Sequence, residues 1–111
     1  MGRWVTVNER KDRAIKRISD GVTALRHDLE LYAKLNHGSF VIFGSIVRGD
    51  FRFDSDVDIL VDFPSDMESA AWSFAEETCR KHGLSPDVRP KSLCEAKFVS
   101  HIIEGAEVIH G

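Results

Sequence analysis

The sequence predicts an α/β (α+β) fold, a small mixed β-sheet with helices packed on it. Three observations predict it. An apolar stripe at helical spacing fills the first third of the chain; two short runs rich in β-branched and aromatic residues follow; and the remainder alternates helix-start signals with further short apolar runs. The order read from these is α-β-β-α-β-α-β. With 111 residues and no linker or repeat, the chain reads as a single domain over 1–111, with an N-terminal helical segment (1–37) and a core (38–111).

In the first element, Ala14, Ile15, Ile18, Val22, Leu25, Leu29, Tyr32 and Leu35 recur at three- and four-residue steps, so an amphipathic helix is expected from about Glu9 to Leu35. Asp20-Gly21 interrupts the stripe and suggests a bend, and Gly38 is the expected left-handed cap. Ser39–Phe43 reads as a buried strand that ends abruptly at Gly44-Ser45, with one helical turn expected over Ile46–Gly49. Asp56–Phe63 is a second strand in which Val57, Ile59 and Val61 take one face and Asp56, Asp58 and Asp62 the other. Pro64 closes it. Ser65-Asp66-Met67-Glu68 has the form of a capping box opening a helix to about His82, with Gly83 as its stop. Leu84–Arg89 is a short strand whose Pro86 suits a sheet edge. Ser92-Leu93-Cys94-Glu95 is a second capping box before a helix carrying Phe98, Ile102 and Ile103, and Glu107–Ile109 is a last strand.

Composition excludes several classes. A net charge of −3 argues against direct nucleic-acid binding by the fold as a whole. The basic run Arg10, Lys11, Arg13, Lys16 and Arg17 reads as a solvated helix face, with an acidic partner or nucleotide contact as the alternative. The two cysteines, Cys79 and Cys94, form no metal or redox spacing and fit a reducing, cytoplasmic setting in which they fill space. No run approaches the roughly 20 apolar residues of a membrane span. His27, His37, His82, His101 and His110 have no metal spacing.

The chemistry-bearing stretch is the middle one. Asp56 and Asp58 lie two apart on a strand and so share a face, where paired carboxylates repel unless a cation neutralises them. Hard oxygen ligands on a rigid strand suit Mg²⁺, and two such ions can clamp an in-line displacement at phosphorus. Gly44 lets a phosphate approach the backbone, Ser45 adds a hydroxyl donor, and Arg48 stands where a guanidinium could reach a phosphate. Together these would grip a metal–nucleoside triphosphate complex.

Residues Gly44-Ser45-Ile46-Val47-Arg48-Gly49, continuing through Ser55-Asp56-Val57-Asp58-Ile59-Leu60-Val61, resemble the Gly-Ser-x10-Asp-x-Asp signature of the DNA polymerase beta-type nucleotidyltransferase superfamily. The likeness is greatest to the minimal nucleotidyltransferases, small proteins commonly encoded beside a HEPN-domain toxin as its antitoxin. The resemblance implies a polymerase-beta-like fold, two Mg²⁺ ions, ATP as substrate, and AMP transfer to a hydroxyl, with a tyrosine of the HEPN toxin as acceptor. It implies Asp56 and Asp58 as metal ligands, Gly44, Ser45 and Arg48 as nucleotide contacts, and a third carboxylate on the strand after the helix. Asp87 is the one acid in that stretch, and by resemblance it shares a metal and acts as general base. Its flanks, Pro86 before and Val88-Arg89-Pro90 after, depart from the family's apolar pattern, and taken alone it is also what a surface turn would carry.

Beside the motif, Arg52 reads as a phosphate contact or a solvated cation, Asp62 as structural, and Asp50, Asp54 and Ser55 as turn-shaping. Trp72 reads as half-core packing, and Trp4 stays open. Two other functions remain beside protein adenylylation: an antitoxin that acts by covering its partner without catalysis, and transfer to a small molecule. Whether the protein forms a homo-oligomer stays open.

Overall fold

A computed structural model of the chain describes residues 7–44, 46–47, 56–103 and 105–110, with the side chains of 7–12, 14, 103 and 110 outside that description. The elements are α1 (Val7–Asn36), β1 (Ser39–Phe43), β2 (Asp56–Asp62), α2 (Glu68–Lys81), β3 (Ser85–Pro90), a 3-10 turn (Lys91–Leu93), α3 (Ala96–Ile103) and β4 (Glu107–His110). The four strands form one mixed sheet in the order β3-β2-β1-β4. β1 runs antiparallel to both β2 and β4, and β2 runs parallel to β3. The expected order of elements is therefore observed, and α2 supplies the crossover that a parallel pair requires.

Alternation along the strands sorts the sheet into two unlike faces. Phe40, Ile42, Val57, Ile59, Val61 and Val88 point to one side, where they form the main core with Val22, Leu25, Leu29 and Ala33 of α1 and Ala71, Ala75 and Cys79 of α2. Each fully buried large side chain there contributes about 1.5–3 kcal/mol. Burial holds Cys79 as a thiol, its pKa pushed up to about 12, so it is a packing residue as expected. On the other face only part is apolar: Val41 and Leu60 pack under Val99 and Ile102 of α3. The alternation of Asp56, Asp58 and Asp62 conceals this, because Leu60 shares their face and is buried by a helix distant in sequence.

Several local expectations are corrected. Asp20-Gly21 does not interrupt α1, which runs unbroken through it as one helix. Gly21 is buried, and a Cβ there would meet the carbonyl oxygen of His82 at 2.9 Å, so the glycine lets α1 approach the end of α2. Beside that contact His82 Nε2 lies 2.7 Å from Asp28 Oδ2. Neither capping box forms. α2 starts at Glu68 behind Met67, which makes no side-chain cap, and Glu68 instead accepts a hydrogen bond from the Ser92 hydroxyl at 2.7 Å. Ser92 lies in the 3-10 turn, and α3 starts only at Ala96. The two capping serine–glutamate signals thus resolve into one long-range bond between α2 and the loop after β3.

The left-handed residue after α1 is His37 (φ 56°), not Gly38. Gly38 is required for space: a Cβ there would collide with the ring of Phe63, which itself packs 4.9 Å from Phe40 and 5.7 Å from Tyr32 between ring centroids. Gly38→Ala is therefore expected to cost about 1–3 kcal/mol by overpacking, read as a lower urea midpoint at unchanged slope. A midpoint equal to that of the parent would show that the Phe63 cluster has room to yield.

Among the described side chains of α1, Arg13, Lys16 and Arg17 are exposed and Gly21 and Val22 are buried, which agrees with a solvated face for these three of the basic residues. Among the described residues no helix is long and apolar enough to cross a membrane.

Candidate active site

The site lies at one end of the face that α3 leaves uncovered. Register decides its membership. Asp58 of β2 stands opposite Phe43 of β1 on one side and Asp87 of β3 on the other. Directly opposed residues project to the same face, so Asp58 and Asp87 point together, with Asp56 one step along the same face opposite Ser85. The parallel pairing thus brings Asp87 to Asp58 across 29 residues of sequence, which removes the surface-turn reading of Asp87. Pro86 and Pro90 flank it without disrupting the ladder because β3 is an edge strand.

Gly44 closes the site from the β1 side. It has φ +84°, and a Cβ placed on it would stand against Asp58 Oδ2, with Asp58 Cγ at 3.3 Å. The backbone therefore passes as close to the carboxylate as a residue without a side chain permits. The turn that follows is pinned by Ile46, which is buried in the main core, and by half-buried Val47. Ser45, Arg48 and the loop acids and Arg52 lie outside the described residues, as does Trp4.

The electrostatics follow from this crowding. Burial raises the Asp58 carboxyl, a hydrogen bond with Asp87 and the negative charges of Asp87 and Asp56 raise it further, and Arg89 opposes them, leaving its pKa at about 6. Below that pH a protonated Asp58 donates to Asp87. Two carboxyls held this close need a proton or a cation between them, and an all-oxygen donor set on rigid strands is the chemistry a hard divalent ion fits. Among the described residues no three acidic, imidazole or thiol groups already converge on one point, so the assembled part is the Asp58–Asp87 pair with exposed Asp56 beside it.

Three further residues border the pair. Arg89 projects to the same face as Asp87, its Nη2 lies 3.6 Å from Asp87 Oδ2, and its guanidinium sits 5.6 Å from the centre of the Phe98 ring. Phe98 in turn meets Phe43 edge-on at 6.4 Å. The sequence carries a signal for Arg89, since i+2 from Asp87 on a strand shares its face; Phe98 comes from α3 and has none. Asp62, two steps along the same face of β2 from Asp58, pairs instead with Lys91 at 3.2 Å, which fits its structural reading. A cavity of about 760 Å³ lies at that far end, among Lys34, His37, Ser39 and Asp62, away from the acid pair.

A crossover-linked parallel strand pair carrying apposed aspartates, next to a glycine turn on the neighbouring strand, is the arrangement that the Gly-Ser and Asp-x-Asp resemblance implies. The nucleotidyltransferase domain model matches residues 25–109, and the chain belongs to that family. Among solved structures it is similar to a chain assigned as a minimal nucleotidyltransferase, at 24% identity and a TM-score of 0.59, covering 79% of this chain and 92% of the other. It is also similar to a chain from a toxin–antitoxin crystal structure with AMP-PNP, at 18% identity and a TM-score of 0.52, covering 67% of this chain and 60% of the other. At these identities the likenesses speak for the fold. A comparison with curated protein sequences finds no match. The expected nucleotidyltransferase family and the small mixed α+β architecture thus hold, and the protein is a nucleotidyltransferase.

Proposed function

We propose that this nucleotidyltransferase moves AMP from ATP to a protein hydroxyl, a tyrosine of a HEPN-domain toxin, and acts as that toxin's antitoxin. The observation that carries the chemistry is the apposition of Asp58 and Asp87 beside Gly44. The partner rests on the motif's resemblance to minimal nucleotidyltransferases and on the fold shared with a toxin–antitoxin chain.

In this reading Gly44, with Ser45 and Arg48, receives the triphosphate: a bare backbone and free N–H groups admit phosphate oxygens where a side chain would exclude them. Asp56, Asp58 and Asp87 would hold two Mg²⁺ ions, which when bound neutralise charge developing on the phosphate oxygens. Asp87 accepts the proton of the attacking hydroxyl. The hydroxyl oxygen forms a bond to the α-phosphorus, the bond from that phosphorus to the bridging oxygen breaks, and pyrophosphate departs with the electron pair. Arg89, paired to Asp87, orients its carboxylate toward the incoming hydroxyl.

The test is to incubate the purified chain and its HEPN partner with ATP and Mg²⁺ and weigh both. The expected result is a gain of AMP on the partner, lost when its tyrosine is changed to phenylalanine. Asp87→Asn should slow transfer by about 10²–10⁴-fold, the usual worth of a positioned base, while ATP binding measured by calorimetry persists. Transfer at the parental rate by Asp87→Asn would remove Asp87 from the reaction.

A further inference from the structure

An open groove runs along the outer edge of β3, immediately beyond the acid pair. It has a volume of about 500 Å³ and is lined by Trp72, Val88, Arg89, Pro90, Leu93, Cys94, Glu95 and Phe98. Leu93 is 77% exposed, a large aliphatic side chain standing at the rim with none of the described residues covering it. The groove is joined to the site through one residue: the Arg89 guanidinium touches Asp87 on one side and lies over the Phe98 ring on the other.

We infer that this groove is the acceptor subsite, which receives an apolar or aromatic side chain of the protein segment that carries the attacking hydroxyl. The inference rests on the nucleotidyl-transfer reading above and adds the direction from which the acceptor enters. Sheet order supplies that direction. Across the sheet the sequence of parts is Gly44 at the end of β1, Asp58 on β2, Asp87 on β3, then the groove. In-line displacement requires the nucleophile to approach opposite the departing pyrophosphate. With the triphosphate on the Gly44 side, the nucleophile's approach is from the β3 side, over the groove. Its apolar wall is mismatched to a polar sugar and matched to a hydrophobic polypeptide side chain, while Arg89 stands where the groove meets the base.

The occupant is not a strand added to the β3 edge. Pro86 and Pro90 have no N–H to offer, so the edge is poorly equipped for main-chain pairing and recognition falls to side chains.

The experiment uses the full chain and blocked single-residue probes. N-acetyl-tyrosine amide, N-acetyl-serine amide and Mg²⁺–ATP are titrated separately into isotope-labelled protein, with the Trp72 indole and Leu93 methyl signals reporting the groove and the Gly44 amide reporting the phosphate side. The expected result is saturable shifts at Trp72 and Leu93 with the tyrosine amide, at least fivefold weaker binding of the serine amide, and movement of Gly44 with Mg²⁺–ATP. Leu93→Asp, at a position too exposed to threaten the fold, is expected to weaken the tyrosine amide about tenfold and leave ATP binding unchanged. In transfer assays with the tyrosine amide or the protein partner, the same variant should raise the acceptor KM with kcat retained. Groove signals that follow Mg²⁺–ATP instead would assign the groove to the nucleobase and overturn the proposal, as would tyrosine-amide shifts that bypass Trp72 and Leu93. Groove binding by the amide without any AMP transfer would leave the subsite standing and sink the transfer reading, so the two fail separately.

Discussion

Asp58→Asn is expected to reduce nucleotidyl transfer by about 10³-fold and, in the absence of divalent cations, to make the folded protein more stable at neutral pH. The first effect follows from removing the central carboxylate of the site, whose charge no neighbour replaces. The second follows from the apo electrostatics. The Asp58 carboxyl is raised to about 6 in the fold, from 3.8 in its absence, by burial and by the apposed Asp87 and Asp56. A raised folded-state value means that the native chain holds the proton more tightly than the unfolded chain between those limits. Stability from this group is therefore fully present below pH about 4 and is lost as pH rises through about 6. Asparagine cannot ionise, and its amide can still donate to Asp87. The variant should therefore match the parent in acid and exceed it by about 1 kcal/mol at neutral pH, the figure being reduced for the solvent that reaches a half-buried group. Thermal melts in EDTA across pH 4–8 check the sign. A variant less stable than its parent at neutral pH would show that the acid pair is not mutually repulsive. Adding Mg²⁺ should raise the melting temperature of the parent and leave the variant nearly unmoved.

The behaviour of Asp58 shows which parts of the molecule were legible in the sequence. Its strand and the face it shares with Asp56 are local properties, set by the two-residue period of Asp56–Asp62, and they hold. The elements and their order were likewise legible, because each depends on a run of adjacent side chains. For Asp87 the residues alone indicated a position on a short strand, and only the resemblance implied a metal shared with Asp58; the contact between the two depends on parallel pairing in one register, fixed by how α2 lays β3 against β2. Local signals failed where a distant partner took the group. Glu68 and Ser92 each looked like part of a helix cap and bond to each other instead. Gly38 looked like a conformational stop, and is a glycine because Phe63 occupies the space. Leu60 was hidden within an acidic face because the helix that buries it arrives some forty residues later. The groove behind Asp87 was invisible for the same reason, being assembled from α2, β3 and α3.

Gly44→Ala is expected to lose both stability and transfer, and a comparison with Gly83→Ala separates the causes. Both glycines sit at positive φ, +84° and +73°, so either alanine brings a backbone penalty of about 1–3 kcal/mol. At Gly83 a Cβ meets nothing within 4 Å, whereas at Gly44 it stands against the Asp58 carboxylate. The Gly83 variant should accordingly unfold more easily while keeping its transfer rate at temperatures where it is folded. The Gly44 variant should unfold more easily still and transfer at least 10²-fold more slowly, because displacing a reacting-site group by about an ångström has that effect. Shortening the neighbour provides the decisive comparison. In an Asp58→Ala background the carboxylate is gone, and the stability cost of Gly44→Ala should fall to that of Gly83→Ala, a coupling measurable by urea denaturation of the four proteins. Equal costs of Gly44→Ala in both backgrounds would mean that the close approach of this backbone to Asp58 is not what the position is glycine for. The phosphate side of the site would then have to be carried by Ser45 and Arg48 without it.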